Sequence, residues 1–282
     1  VKIQYKNIFF TLLLLMMVSP LFSQVRLTPW VGFGNQSVKY SFDDATIDGA
    51  SGINFGADVY IYLNENMALG SGFRMTSYEA TASINDYSIE QAGVDKDGDA
   101  YEMTSVSTNI EESHKISAIE IPLLFRYQDW VTDNIMLFGA TGPVFILPGS
   151  SSSKIASGSV KNVGFYPEWN LIIDDVPEYG FFDNELAGDM PEIDTKTSLA
   201  WTIEAGAEIF ISKRLNVFAS LYYQSCFSSV TNPAEGGLIA DPFTYNGSLM
   251  GADDVKLSKM GIRVGVNLDL TPRERGSIKS IR

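Results

Sequence analysis

The run 95-DKDGDAYE-102 sets Asp95, Asp97 and Asp99 at alternating positions, with Gly98 available for a tight turn and Glu102 just after. Hard carboxylate oxygens so spaced suit a Ca2+ ion. A full EF-hand loop needs Gly at its sixth position and Glu at its twelfth. Here Gly98 falls fourth and Val106 twelfth, so the match is partial. A solvated acidic turn is the competing reading. Asp95, Asp97, Asp99 and Glu102 stand as a candidate calcium site, and calcium is the one cofactor the chain suggests.

His114 is the single histidine, beside Ser113 and near Glu111 and Glu112. A Ser, a His and an acid can do nucleophilic hydrolysis. Neighbours on a strand point to opposite faces, however, so Ser113 and His114 cannot share a proton. A polar rim residue is the simpler reading, and no catalytic residue is assigned. Cys226 is the only cysteine, which rules out an intrachain disulfide, and it reads as a small buried or lipid-facing residue.

The third set of reactive groups is Asp58, Arg74, Glu120, Arg126, Glu204, Glu208, Arg263 and Asp269. The signs are mixed, and these charges sit in otherwise apolar segments. In 118-AIEIPLLFRY-127, Ile119, Ile121, Leu123, Phe125 and Tyr127 alternate with Ala118, Glu120, Pro122, Leu124 and Arg126. This period of two makes a strand with one apolar face and one polar face. The segments 53–63, 67–78, 198–211 and 259–270 repeat the pattern. The expected strands are 25–42, 51–63, 67–86, 114–128, 134–147, 197–211, 215–229 and 256–270. Short links at 64–66, 129–133 and 212–214 alternate with long links near 43–50, 87–113, 148–196 and 230–255.

Short turns at one end and long loops at the other mark an all-β, eight-stranded antiparallel up-and-down transmembrane β-barrel with long extracellular loops. The alternative is a soluble sandwich or lipocalin-like barrel, with the apolar faces inward. Glycine-rich polar faces with few charges of both signs favour the membrane form, where the eight charged residues form a paired network in a narrow lumen. Trp30, Tyr62, Tyr127, Trp130, Trp201 and Tyr223 are expected in interfacial girdles. Pro122 should mark an interruption of the ladder, opposite a small residue on a neighbouring strand. Eight strands leave an interior just filled by side chains, so a wide pore is not expected.

Lys2, Lys6, the apolar run Ile8–Val18, then Ser19-Pro20 and Ser23 read as a secretory signal peptide over 1–23. Residues 24–271 form the barrel, and 272–282 a flexible basic periplasmic tail. An even strand count puts both termini on the short-turn, periplasmic side. The net charge of −14 becomes about −16 without Lys2 and Lys6, which excludes nucleic acid as a partner. The acidic, aromatic stretch 165–194 binds a partner, folds back over the barrel mouth or forms an extra hairpin.

The run 119-IEIPLLFRY-127 resembles the "L-E-I-P-L-L-x-K/R-Y" strand of the outer-membrane β-barrel domain proteins of Bacteroidetes. The hairpin 205-AGAEIFISKRLNVFASLYYQ-224 is similar to that family's G-x-G-x-E…S-K-R-L…Y hairpin. The resemblance implies an OmpA-like or PorT-like barrel in the outer membrane and no catalytic residues. The expected role is then non-enzymatic: structural, with extracellular loops for adhesion or partner binding, among outer-membrane lipid and lipopolysaccharide. Two alternatives remain. One is an accessory subunit of a secretion or nutrient-uptake complex, with envelope protein partners. The other is a lipid-modifying enzyme built around His114. A ten-stranded barrel protease lacks support in the strand number and in the Asp and His groups.

Overall fold

The computed structural model describes residues 24–42, 45–212, 214–232, 239–241, 244–252 and 254–270. The expected signal peptide at 1–23 and the tail at 272–282 lie outside the described residues. In chain order the strands are β1 (Gln24–Lys39), β2 (Ala45–Tyr62), β3 (Met67–Val94), β4 (Ala100–Trp130), β5 (Ile135–Tyr166), β6 (Leu171–Ile173), β7 (Asp183–Glu185), β8 (Gly188–Asp189), β9 (Ser198–Phe210), β10 (Leu215–Cys226), β11 (Ile239–Asp241), β12 (Thr244–Tyr245) and β13 (Lys256–Asp269). Eight of them close a ring, each antiparallel to the next: β1, β2, β3, β4, β5, β9, β10, β13 and back to β1. Closure leaves the ring no free edge.

The three short links share one turn chemistry. Asn64 Oδ1 accepts from the Met67 N–H at 2.8 Å, Thr132 Oγ1 from Ile135 at 3.1 Å, and Ser212 Oγ from Leu215 at 3.1 Å. A side-chain oxygen three residues before the next strand satisfies that strand's first N–H and fixes the hairpin register.

The wall is apolar outside. Val31, Phe33, Ile53, Phe55, Leu69, Phe73, Leu123, Phe125, Leu137, Ile203, Leu221 and Ile262 point outward and are exposed. The inward partners on the same strands are Arg26, Asn54, Asp58, Arg74, Glu120, Thr202 and Asn267, all buried. This inside-out partition, over strands long enough for the roughly 9–11 residues a crossing needs, is what a bilayer selects and water does not. It separates the membrane barrel from the soluble alternative. Tyr127, Trp130, Trp201 and Tyr223 are exposed on the outer wall. Trp30 and Tyr62 are not part of a girdle. They face inward and are buried, because they share strand parity with Arg26 and Tyr60.

Three strands are much longer than the sequence suggests: β3 has 28 residues, β4 has 31 and β5 has 32. The spans 87–113 and 148–166, expected to be loops, are largely ladder. The segment 148-PGSSSSKIASGSVKNVG-164 lacks apolar alternation, so its strand state is invisible locally. Pairing with β4 creates it, across bulges between Thr108 and Glu112 and between Ile116 and Ala118. The result is a tall β-wall, β3–β4–β5, standing well beyond the apolar belt. The chain then descends along β5 as β6, β7 and β8 and covers the edge of that strand.

The irregularity expected at Pro122 is present. The β3–β4 ladder runs Ser71↔Leu123 and then Arg74↔Glu120, skipping Gly72, which lies opposite Pro122. On the other side β4–β5 runs Pro122↔Val144 and then Phe125↔Thr141, skipping Gly142 and Pro143. Proline cannot donate to a ladder; pairing is missing at Pro122 on the β3 side and at the next two residues, Leu123 and Leu124, on the β5 side.

Candidate functional site

Alternation places the ionisable groups of the wall in the lumen. All eight charged residues singled out in the sequence face the interior and are buried, and Arg26 and Lys259 join them. Arg26, Arg74, Arg126, Lys259 and Arg263 thus stand against Asp58, Glu120, Glu204, Glu208 and Asp269.

They pair in layers. At the short-turn end, Arg26 donates through Nε to Asp269 at 2.7 Å and through Nη1 to Glu208 Oε2 at 2.9 Å. Arg126 also donates to Glu208, and Asn216 and Asn267 complete its shell at 2.8 and 2.9 Å. In the middle, Arg74 forks onto Asp58 at 3.2 and 3.0 Å, with the Trp30 indole N–H donating to the same carboxylate at 3.1 Å. Arg263 pairs with Glu204, which also accepts from Ser220 at 2.7 Å. Arg263 lies over the Trp30 ring, its Cζ 3.7 Å from the centroid. In the outer layer, Lys259 donates to both oxygens of Glu120, at 2.8 and 2.7 Å, and to Thr76 at 2.9 Å. Tyr78 donates to Glu120 at 2.5 Å, and Gln224 reaches the Tyr78 hydroxyl at 3.2 Å. Paired and hydrogen-bonded charges are tolerable at this depth, where lone ones are not.

Above the ions the barrel turns apolar. Val38, Tyr78, Ile116, Val144, Ile146 and Leu257 from the wall pack against Ile193, Val230, Leu249, Ala252 and Val255 from the long links. The mouth is therefore stoppered by the chain's own loops. Cys226 is buried in this core.

His114 sits beside this core, fully buried. Its Nδ1 is 2.8 Å from Ser153 Oγ, and its Nε2 is 2.9 Å from Glu112 Oε2. Ser113, its sequence neighbour, is exposed on the opposite face. The partners that matter, Ser153 and Ser248, are distant in sequence and were not legible in it. Glu112 accepts further bonds from Ser248 Oγ at 2.5 Å, from the Ser248 N–H at 3.0 Å and from the Tyr245 hydroxyl. Tyr40 OH meets Ser248 Oγ at 2.8 Å. Burial works against the Glu112 charge, yet the bonds from His114, Ser248 and Tyr245 hold its carboxyl below the usual range. Burial and the Glu112 charge push the Tyr245 phenol up, so it stays a donor. Nucleophile, base and acid are in line here, but the carboxylate is spent on anchoring residues 245–248. The cluster is a latch for the cap.

The acidic run lies at the far tip of the β3–β4 hairpin. Asp95 Oδ1 accepts from the N–H groups of Asp97 and Asp99, each at 2.9 Å, and Asp95 Oδ2 accepts from Tyr166 at 3.1 Å. Asp97 accepts from Tyr179 at 2.5 Å. Among the described residues no three His, Cys, Asp or Glu side chains converge as a metal site. Asp95 thus spends one oxygen on the turn itself and the other on Tyr166 of β5. Partial desolvation opposes its charge, but the Asp99, Tyr166 and Asp97 donors hold its carboxyl below the ordinary value.

The 165–194 stretch divides. Phe181 is fully buried against Gly164, where a Cβ would lie 2.2 Å from its ring. Trp169 and Ile172 are 51 % and 67 % exposed at the tip, and Val94 and Leu171 are exposed as well.

No protein-family model matches the chain, and no curated protein matches it. Among solved structures it is similar to the attachment invasion locus protein Ail of Yersinia pestis, at 13 % identity and a TM-score of 0.32, covering 86 % of this chain and 98 % of that one. It is also similar to the outer membrane protein OprG of Pseudomonas aeruginosa, at 7 % identity and a TM-score of 0.40, covering 88 % and 96 %. A third is the outer membrane protease OmpT of Escherichia coli, at 9 % identity and a TM-score of 0.33, covering 88 % and 97 %. The eight-stranded barrel described above rests on its own strand pairing.

Proposed function

We propose that this chain is a non-conducting, non-enzymatic outer-membrane barrel that anchors a tall β-wall at the cell surface, where the distal end docks a protein partner. The observation that carries this reading is the bond between Lys259 and Glu120. Their strands, β13 and β4, are diametrically opposite in the ring, so the two side chains bridge the full lumen. With the apolar stopper above, the barrel is a plugged mount. The end of the wall exposes Val94, Trp169, Leu171 and Ile172, in segments that also carry Asp97, Asp99, Glu168, Asp174, Asp175 and Glu178. Exposed apolar residues in acidic segments fit a partner surface of apolar and basic groups. Both termini then lie on the periplasmic, short-turn side. The motif resemblance to Bacteroidetes outer-membrane barrels agrees with this reading.

Planar bilayers test the closed lumen: the full chain should give no steady conductance, and sustained large openings would refute the reading. For the docking end, cells displaying Trp169→Ser/Ile172→Ser should lose adherence to a cationic protein-coated surface, with unchanged surface display.

One observation favours an accessory subunit instead. Gly139, Ala205, Ala207 and Ala219 make a patch of small outward residues on β5, β9 and β10, inside the belt, next to a groove of about 490 Å³. Small residues let a second membrane protein approach closely. A stoichiometric partner retained in mild detergent would decide for that reading.

A further inference from the structure

A second groove, of about 340 Å³, crosses the outer wall where the apolar belt ends on the long-strand side. Ile53, Phe55, Met75 and Ile119 flank it, and Ser117 and Gly149 line its upper part. Two irregularities carve it. The β2–β3 ladder stops at Gly49↔Ala80 and resumes at Phe55↔Met75, and between them β1 meets β3 directly at Ser37↔Glu79, so β2 stands off β3 there. The β4–β5 register also shifts between Ile116 and Ala118, beside Gly149. A Cβ placed on Gly149 would meet only the Ser117 carbonyl oxygen, at an ordinary 3.6 Å, so the space above it is open. Just beyond, two residues further along the same outward faces, Lys115 Nζ and Glu79 Oε1 pair at 2.7 Å and remain half exposed.

The profile from belt to rim is an apolar slot continuous with the lipid-facing wall, ending at a charged pair. We propose that this groove is a lipid site: it holds one acyl chain of a phosphorylated membrane lipid from the long-strand leaflet, with the phosphate toward Lys115. The occupant follows from position. The slot opens onto the hydrocarbon rather than the lumen, and its apolar flanks Ile53, Phe55, Met75 and Ile119 offer an acyl chain a packing surface. The proposal rests on the membrane reading of the barrel.

The test uses the full chain reconstituted in vesicles doped with a phosphatidylethanolamine that carries a diazirine on one acyl chain. After illumination, cross-links are mapped by mass spectrometry. Met75, Ser117 and Gly149 should be labelled several-fold more than Phe33 and Met260, outward positions near the same height on β1 and β13. Filling the slot with Gly149→Leu/Ser117→Phe should bring that excess to the level of the controls, with heat-modifiable migration retained. Even labelling around the belt would overturn the lipid site alone. Labelling of no belt position would overturn the membrane reading with it. Should the filled variant fail to fold, the wild-type distribution still decides.

Discussion

Lys259 and Glu120 stand on opposite walls of the barrel, yet the ammonium lies within 2.8 Å of both carboxylate oxygens, and neither side chain is exposed. Breaking such a pair from one side leaves a buried charge without a partner, at a cost of about 3–5 kcal/mol. Lys259→Met should therefore lower the temperature at which the folded form is lost on heat-modifiability gels. Lys259→Met/Glu120→Leu should recover most of the loss, since it leaves no orphan charge. A double variant as weak as the single one would show that packing, not charge, holds this level.

The cap latch should respond to acid. The folded-state pKa of Glu112 is lowered, so between it and the unfolded value of about 4.3 the unlatched chain binds more protons. Its contribution is present above that unfolded value and is lost as pH falls through the folded one. Hydrogen exchange at residues 245–250 should accelerate below about pH 4. Glu112→Gln should be fast already at neutral pH, with little further change on acidification. Protection that persists in the Gln variant would remove Glu112 from the role.

The interruption at Pro122 is enforced from across the seam. A Cβ on Gly142 would lie 1.9 Å from the Leu123 carbonyl oxygen. Gly142→Ala should destabilise by about 1–3 kcal/mol through backbone displacement. Pro122→Val restores an N–H and should be much milder. Thermal melts in one detergent compare the two directly.

The wall depends on Phe181, which plugs the space over Gly164. Phe181→Ala should cost about 3–5 kcal/mol locally and expose residues 171–190 to proteolysis, with the barrel intact. Limited digestion followed by a heat-shift gel reads both. Trp169→Ser, on the exposed side of the same stretch, should leave the digestion pattern unchanged.

How much of this could be read from the chain depends on the element. The belt strands carry their inside–outside assignment in alternation alone, so Glu120, Arg126, Glu204 and Asp269 were placeable one at a time. Arg26 is a charge in step with Thr28, and Lys259 lies on the polar face of the last of these strands, so the same alternation puts both with the network. The wall was not legible, because Ser150–Ser153 and Ser157–Ser159 have no intrinsic strand signal and become strand only against β4. The His114 partners were hidden for another reason. Ser153 and Ser248 lie 39 and 134 residues away, brought together by barrel closure and the cap.

The pairing of the charges also dictates how the protein enters a bilayer. Lys259, Arg263 and Asp269 all ride on β13, and their partners Glu120, Glu204 and Arg26 stand on β4, β9 and β1. A nascent sheet short of that strand would carry two bare carboxylates and an arginine with half its partners missing toward hydrocarbon, which a bilayer core does not accept. Insertion one strand at a time would therefore be costly. A sheet in which β13 has already paired avoids that cost, so closure of the ring and entry into the bilayer are energetically coupled.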